Sequence, residues 1–332
     1  MPRILFVKTS SLGDVVHHCP AVSDAARHLP GATIDWVVEE AFAGVAAMHR
    51  AVRRVIPVAL RRWRAALWRP AVWREFAEFR RAVAAERYDF IIDSQGLIKS
   101  ALLCRLAHGE THGMDGQSAR EPFAARFYAR RHPVPRGLHA VERNRRLTAA
   151  ALGYSPQGEC DYGLRVQGSA SAQGPASVEV PGPYAVLLTM TSRADKLWAE
   201  RRWIELARAL AGRGVRAVLP WGSAEERTRC ERLAREIDGA RVPPRMEIAD
   251  LARLLRRAQC AVGVDTGLVH LAAALDVPAV GLYCGSDPAL TGLYGSAHAR
   301  NLGARGAPPA AAEVIAALNE ISTWDAASTP SC

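Results

Sequence analysis

Two α/β domains in tandem, each a doubly wound Rossmann-like parallel sheet, are what this sequence predicts, on three observations. A chain of 332 residues exceeds one ordinary core of about 100–150 residues and suits two domains. Strand-like apolar runs alternate with helix-like stretches through both halves, the rhythm of parallel strands covered on both faces. Between the halves lies VQGSASAQGPASVEVPGP (166–183), rich in Gly, Ser, Ala and Pro and poor in bulky residues, which reads as a linker. The expected boundaries are 1–165, linker 166–183 and 184–325. Two such domains would leave a cleft, and open α/β sheets bind ligands at the carboxyl ends of their strands.

Taken in order, RILFV (3–7) is a short apolar run of strand type, and a helical pattern follows to about Leu29. TIDWVV (33–38) and YDFIID (88–93) read as further buried strands, the second followed by a helix over about 97–107. Beyond the linker, YAVLLTM (184–190) precedes a helix near 200–213, and VRAVLPW (215–221) precedes one near 225–237. A helix at 248–258 leads into the strand CAVGV (260–264), the helix 268–275 and the strand PAVGLY (278–283). No short-period repeat interrupts this plan.

Composition narrows the class. Hydrophobic residues make up 49% and charged residues 23%, the balance of a folded soluble protein. The most apolar stretch, Cys260 to Cys284, is interrupted by Asp265, His270 and Asp276, against a spanning helix. The seven cysteines (19, 104, 160, 230, 260, 284 and 332) are scattered without a CxxC pair, which points to reduced thiols and a cytoplasmic protein. A formal charge of +10 predicts an anionic partner: nucleic acid, a phosphorylated metabolite or an acidic membrane face.

Four loops carry the candidate chemistry. The first, KTSSLGDVV (8–16), lacks both G-x-G-x-x-G and the P-loop pattern. Gly13 permits a sharp turn, and Asp14 lies near the start of a helix, where it either caps that helix or stands ionised as a general base beside Ser10 and Ser11. His17 and His18 read as packing or surface residues. The second, VGVDTGLVHLAAAL (262–275), ends a strand at Asp265 and starts a helix after Thr266 and Gly267. That arrangement aims backbone N–H groups at an anion. Asp265 itself would repel phosphate and suits sugar hydroxyls or orientation of the turn, while His270 reads equally as a core histidine. The third, TMTSRADKLW (189–198), offers Thr191, Ser192, Arg193 and Lys196 as a hydroxylated, cationic rim for a diphosphate. The fourth, RRWRAALWRPAVWREFAEFRR (61–81), interleaves arginine with Trp63, Trp68 and Trp73, and Pro70 starts or bends a helix there. Nucleic acid, an anionic lipid surface, or a solvated face with buried indoles would each account for it. D-x-D, H-E-x-x-H and G-x-S-x-G are all missing, which favours a metal-free mechanism.

The segments VKTSSLGDVVHHCPAVSDA, DWVVEEAFAGV, RVIPVALRRWR, DSQGLIKSALL, HGMDGQSAREP, DKLWAERRW, LPWGSAEE and GVDTGLVHLAAALD occur in that order. Together they closely resemble glycosyltransferase family 9, the bacterial ADP-heptose transferases of lipopolysaccharide synthesis, from about residue 3 to residue 295. RRWR and HGMD point to the branch adding the first heptose. The resemblance implies a GT-B architecture and inverting, metal-independent transfer from an ADP-heptose donor to the inner Kdo of Kdo2-lipid A. It also implies peripheral contact with the anionic cytoplasmic face of the inner membrane, with neither cofactor nor nucleic acid. On the family's motifs, Asp14 falls on the general base. Lys196, Asp265, Thr266 and Gly267 fall on the donor motifs, and Thr191, Ser192, Glu226, Met246 and His270 on the same pocket. Ser192 stands where a threonine is expected. Ser11, Arg61, Arg62, Arg64, Lys99 and Arg120 fall on the acceptor side. The rival expectations are a second-heptose or other core-sugar transferase, a sugar-nucleotide epimerase and a non-enzymatic nucleic-acid-binding protein.

Overall fold

The structure is a computed structural model and describes residues 1–166, 180–191 and 193–322. Ser192 and most of the linker segment, residues 167–179, lie outside the described residues. The chain divides into two compact units, Met1–Arg165 and Val166–Cys332.

The first unit is built on six parallel strands: β1 (Arg3–Val7), β2 (Thr33–Glu39), β3 (Val52–Val58), β4 (Arg87–Asp93), β5 (His108–Met114) and β6 (Arg130–His132). Their spatial order is β3-β2-β1-β4-β5-β6. The chain therefore winds outward from β1 in one direction and then from β4 in the other, so β1 and β4 flank a topological switch point. Ile4, Leu5, Phe6, Ile91 and Ile92 on those two strands are fully buried, as strands covered on both faces require.

The second unit holds β7 (Tyr184–Leu188), β8 (Arg216–Val218), β9 (Cys260–Val264), β10 (Ala279–Leu282) and β11 (Ala299–Leu302), in the order β11-β10-β9-β7-β8 and parallel throughout. Its switch point lies between β7 and β9. Trp198 and Trp203 meet edge to face at 4.9 Å in its core.

Several local expectations are corrected. The helix read through to Leu29 is two helices, Leu12–Val16 and Cys19–His28, because Pro20 sits in the first turn of the second and has no N–H to continue the first. Gly13 lies inside the first helix and does not take the left-handed conformation; the helix begins after Ser11, its extended N-cap. VRAVLPW yields only Arg216–Val218 as strand. Other open readings resolve without correction: Pro70 starts the helix Pro70–Ala84, and His17 and His18 are buried packing residues.

β3, β5, β6 and β11 had no reading in the sequence. Three of them are edge strands, and β3 carries two arginines and Pro57, all tolerated where one side faces outward. β5, HGETHGM, has no apolar run, and its glycines are there for space: a Cβ on Gly113 would stand 2.3 Å from the Tyr128 ring. Among the described residues no helix is long and apolar enough to cross a membrane.

Buried histidine makes the first unit acid-sensitive. Burial lowers the pKa of His49 to about 4 and holds that of His18 well below its usual 6.5. Both pKa values are depressed on folding, so the stability is complete above pH 6.5 and is lost as pH falls from there toward the folded values, by roughly 3 kcal/mol for His49. Urea midpoints measured between pH 7 and pH 4 should fall accordingly, and His49→Gln should show a shallower fall.

Candidate functional site

Each unit presents a cluster at its switch point. In the first, the turn after β1 is tied to the turn after β4. Gln95 Oε1 accepts the N–H groups of Thr9 (3.1 Å) and Ser10 (3.2 Å), and Lys8 Nζ donates to the Ser94 carbonyl at 2.9 Å. Lys8 is buried, and burial lowers its pKa against the opposing pull of Asp14 and Asp93. These ties aim the start of the helix Leu12–Val16. Asp14 is half-buried on its first turn, and its Oδ2 accepts the N–H (2.8 Å) and the hydroxyl (3.1 Å) of exposed Ser11. Asp14 does cap its helix, and both contacts use one oxygen of a carboxylate that has two.

Lys8, Ser94 and Gln95 had not been singled out. The available signal was register: β1 and β4 pair in parallel from Ile4–Phe90 to Val7–Asp93, so the turns that follow them must meet. Arg61, Arg64 and Lys99 are exposed and line one cavity. Arg62 is directed elsewhere, ion-paired with Glu40 (3.0 Å) and Glu75 (2.8 Å). Arg120 is exposed, its backbone beside the Gly96 turn.

In the second unit, Asp265 directly follows β9 and gathers three donors. Its carboxylate accepts Lys196 Nζ at 2.6 Å, Ser286 Oγ at 2.6 Å and His270 Nε2 at 3.4 Å. Burial pushes the Asp265 pKa up, but hydrogen bonds from His270, Lys196 and Ser286 outweigh it, and the net shift is well below the usual carboxylate range. Thr191 Oγ1 donates to the Asp265 carbonyl at 3.1 Å, joining the turn after β7 to the turn after β9. Asp265 thus orients the turn. Buried His270 is part of the same group. Ser286 went unpredicted, although it follows β10, the parallel neighbour of β9.

Immediately beyond Asp265, Thr266 is the N-cap of the helix Gly267–Ala274 and makes no side-chain cap hydrogen bond. The first-turn N–H groups of such a helix lack intrahelical acceptors and carry partial positive charge. Beside them is a cavity of about 160 Å³ lined by Met190, Trp221, Glu226, Met246, Thr266 and Leu268, among others. Its walls are largely apolar, with Thr189, Glu226, Arg245 and Thr266 as polar groups, and it adjoins a helix N-terminus. Glu226 is engaged locally, accepting from the N–H groups of Gly222 (2.6 Å) and Ser223 (3.1 Å). Thr191, Lys196, Glu226, Met246, Asp265, Thr266, Gly267 and His270 therefore all lie around one switch point, and Ser192 lies outside the described residues.

Comparison with known proteins gives the same direction. The model of glycosyltransferase family 9 (heptosyltransferase) matches residues 76–314. The lipopolysaccharide heptosyltransferase 1 of Salmonella typhimurium is 50% identical over 295 residues, covering 88% of this chain and 92% of that protein. The solved structure of the E. coli heptosyltransferase WaaC with ADP superposes with a TM-score of 0.87 at 46% identity, covering 96% of this chain and 100% of that one. WaaC with ADP-2-deoxy-2-fluoro heptose gives 0.83 at 46% identity, with 96% and 99% covered.

Proposed function

Since this chain belongs to glycosyltransferase family 9, we propose that it moves heptose from ADP-heptose to the inner Kdo of Kdo2-lipid A, with inversion and with Asp14 as general base. It is a glycosyltransferase of lipopolysaccharide synthesis with a fold of the GT-B type. The observation that carries the finer reading is the group around Asp265: a lysine, a serine and a histidine fixed on one carboxylate beside a helix N-terminus and an apolar slot. That combination suits a nucleotide diphosphate sugar, with the base in the slot and the diphosphate at the N–H groups of the helix. In this reading residues 1–165 hold the acceptor and 184–325 the donor.

The step itself is a single displacement. The Kdo hydroxyl gives its proton to Asp14 as its oxygen bonds to the anomeric carbon of the heptose. The bond from that carbon to the diphosphate breaks, and ADP leaves with the electron pair. Charge grows on the leaving oxygen, so preset donors at Lys196, Thr266 and Gly267 stabilise the transition state more than the ground state. A single displacement of this kind proceeds with inversion and without a covalent intermediate. The exposed arginines at 61 and 64 and Lys99 suit the phosphates and Kdo carboxylates of the acceptor. They also suit contact with an anionic inner-membrane face.

The test is ADP release measured with ADP-heptose, with and without Kdo2-lipid A. Acceptor-dependent release supports the proposal. Release of a rearranged free sugar without acceptor would replace it with an epimerase, and a salt-sensitive gel shift with no ADP release would replace it with nucleic-acid binding. In the same assay Arg61→Ala/Arg64→Ala should raise the acceptor KM by about 10–100-fold and leave the donor KM alone. Arg62→Ala, whose guanidinium is committed to Glu40 and Glu75, should do much less.

A further inference from the structure

The helices Leu60–Arg64 and Pro70–Ala84 enclose, in part, a cavity of about 550 Å³, inside the ~300–1,000 Å³ typical of small-molecule sites. Leu60, Trp63, Leu67, Val72, Trp73 and Phe76 supply its apolar walls, and Arg61, Arg64 and Lys99 complete the lining. Trp63 and Val72 are buried, whereas the three cations are exposed. The charges therefore face solvent, while Trp63 and Val72 form a buried apolar floor. Part of the apolar lining is itself open: Leu67 is 51% and Trp73 59% exposed. Exposed apolar side chains gathered at one cavity mark a binding surface.

Three details say what fits. The indole N–H groups in the wall are already used, Trp63 donating to Glu75 at 2.7 Å and Trp73 to the Leu67 carbonyl at 2.9 Å. The rings thus offer an occupant apolar contact only. Among the described residues no acidic residue lines the cavity, so its charged lining is cationic. Finally, the lining belongs to the edge of the sheet that carries Asp14. Arg61 and Arg64 follow the carboxyl end of β3, and Lys99 opens the helix after β4, one turn from Gln95.

We propose that this cavity takes one acyl chain of the acceptor glycolipid, with Arg61, Arg64 and Lys99 meeting the anionic headgroup. The inference rests on the acceptor reading above and extends it from the sugar to the tail. An amphiphile with an apolar chain joined to a phosphorylated head matches both halves of the lining, and burial of several methylenes would add affinity that a water-soluble headgroup lacks.

The experiment compares two acceptors in the ADP-release assay: Kdo2-lipid A retaining only its amide-linked chains, and the same molecule fully deacylated. The chain-bearing acceptor should have the lower KM, by about tenfold. Leu67→Ser and Trp73→Ala, both at exposed and uncharged positions where folding is spared, should raise its KM toward that of the deacylated acceptor. Equal KM values for the two acceptors in the unmodified protein would overturn the chain site while leaving the acceptor reading intact. Turnover of neither acceptor would overturn the acceptor reading and the chain site with it. If both variants keep the KM difference but lose binding to phosphatidylglycerol vesicles, the cavity serves the bilayer and the proposal falls.

Discussion

Asp14→Ala should cut turnover by about 10²–10⁴-fold, the usual contribution of a positioned general base, while ADP binding measured by calorimetry stays unchanged. The structure adds a complication and its control. Asp14 also accepts the N–H and hydroxyl of Ser11, so alanine removes one half of a capping box as well as a base. Asp14→Asn keeps an oxygen for Ser11 but has no basic site near neutral pH. If asparagine restores the thermal midpoint and turnover stays low, the base assignment stands. Activity returning with stability would make Asp14 a scaffold residue only.

Lys196→Ala should lower kcat/KM for the donor by about 10²–10³-fold, the scale of one preset donor at a developing oxyanion. Its effect passes through Asp265 as well. Removing the ammonium at 2.6 Å leaves a largely buried carboxylate with Ser286 and His270 as its remaining side-chain donors among the described residues, so its pKa must rise. In the unmodified protein the depressed pKa contributes stability that is complete above the unfolded value near 3.8 and is lost as pH falls through the lower folded value. The acid limb of the unfolding curve should therefore move to higher pH in the variant. Donor kinetics unchanged by the substitution would remove Lys196 from the site.

The legible part of the fold was the interior of each sheet. β1, β2, β4, β7, β9 and β10 are short apolar runs with helices after them, and parallel burial leaves that mark in composition. Edge strands leave a weaker mark: β8 was read but is shorter than expected, β3, β6 and β11 escaped, and β5 is held by close packing of glycine that no periodicity reports. On the site, Asp265 and Lys196 stood out because each follows a recognisable strand. Ser286, Lys8 and Gln95 did not, since their parts depend on which strands become neighbours. Arg62 shows the converse: three arginines within four residues look alike in sequence, and only the positions of Glu40 and Glu75 separate one from the others.

Gln95 carries a consequence for how the protein is made. A single amide oxygen receives the backbone of Thr9 and Ser10 from a position more than eighty residues later in the chain. During synthesis the segment bearing the acid emerges early from the ribosome, but the group that sets its backbone arrives only after Gln95 has cleared the exit tunnel. A nascent chain shorter than that can form a helix around Asp14, yet it has nothing to hold that helix at the angle the reaction would use.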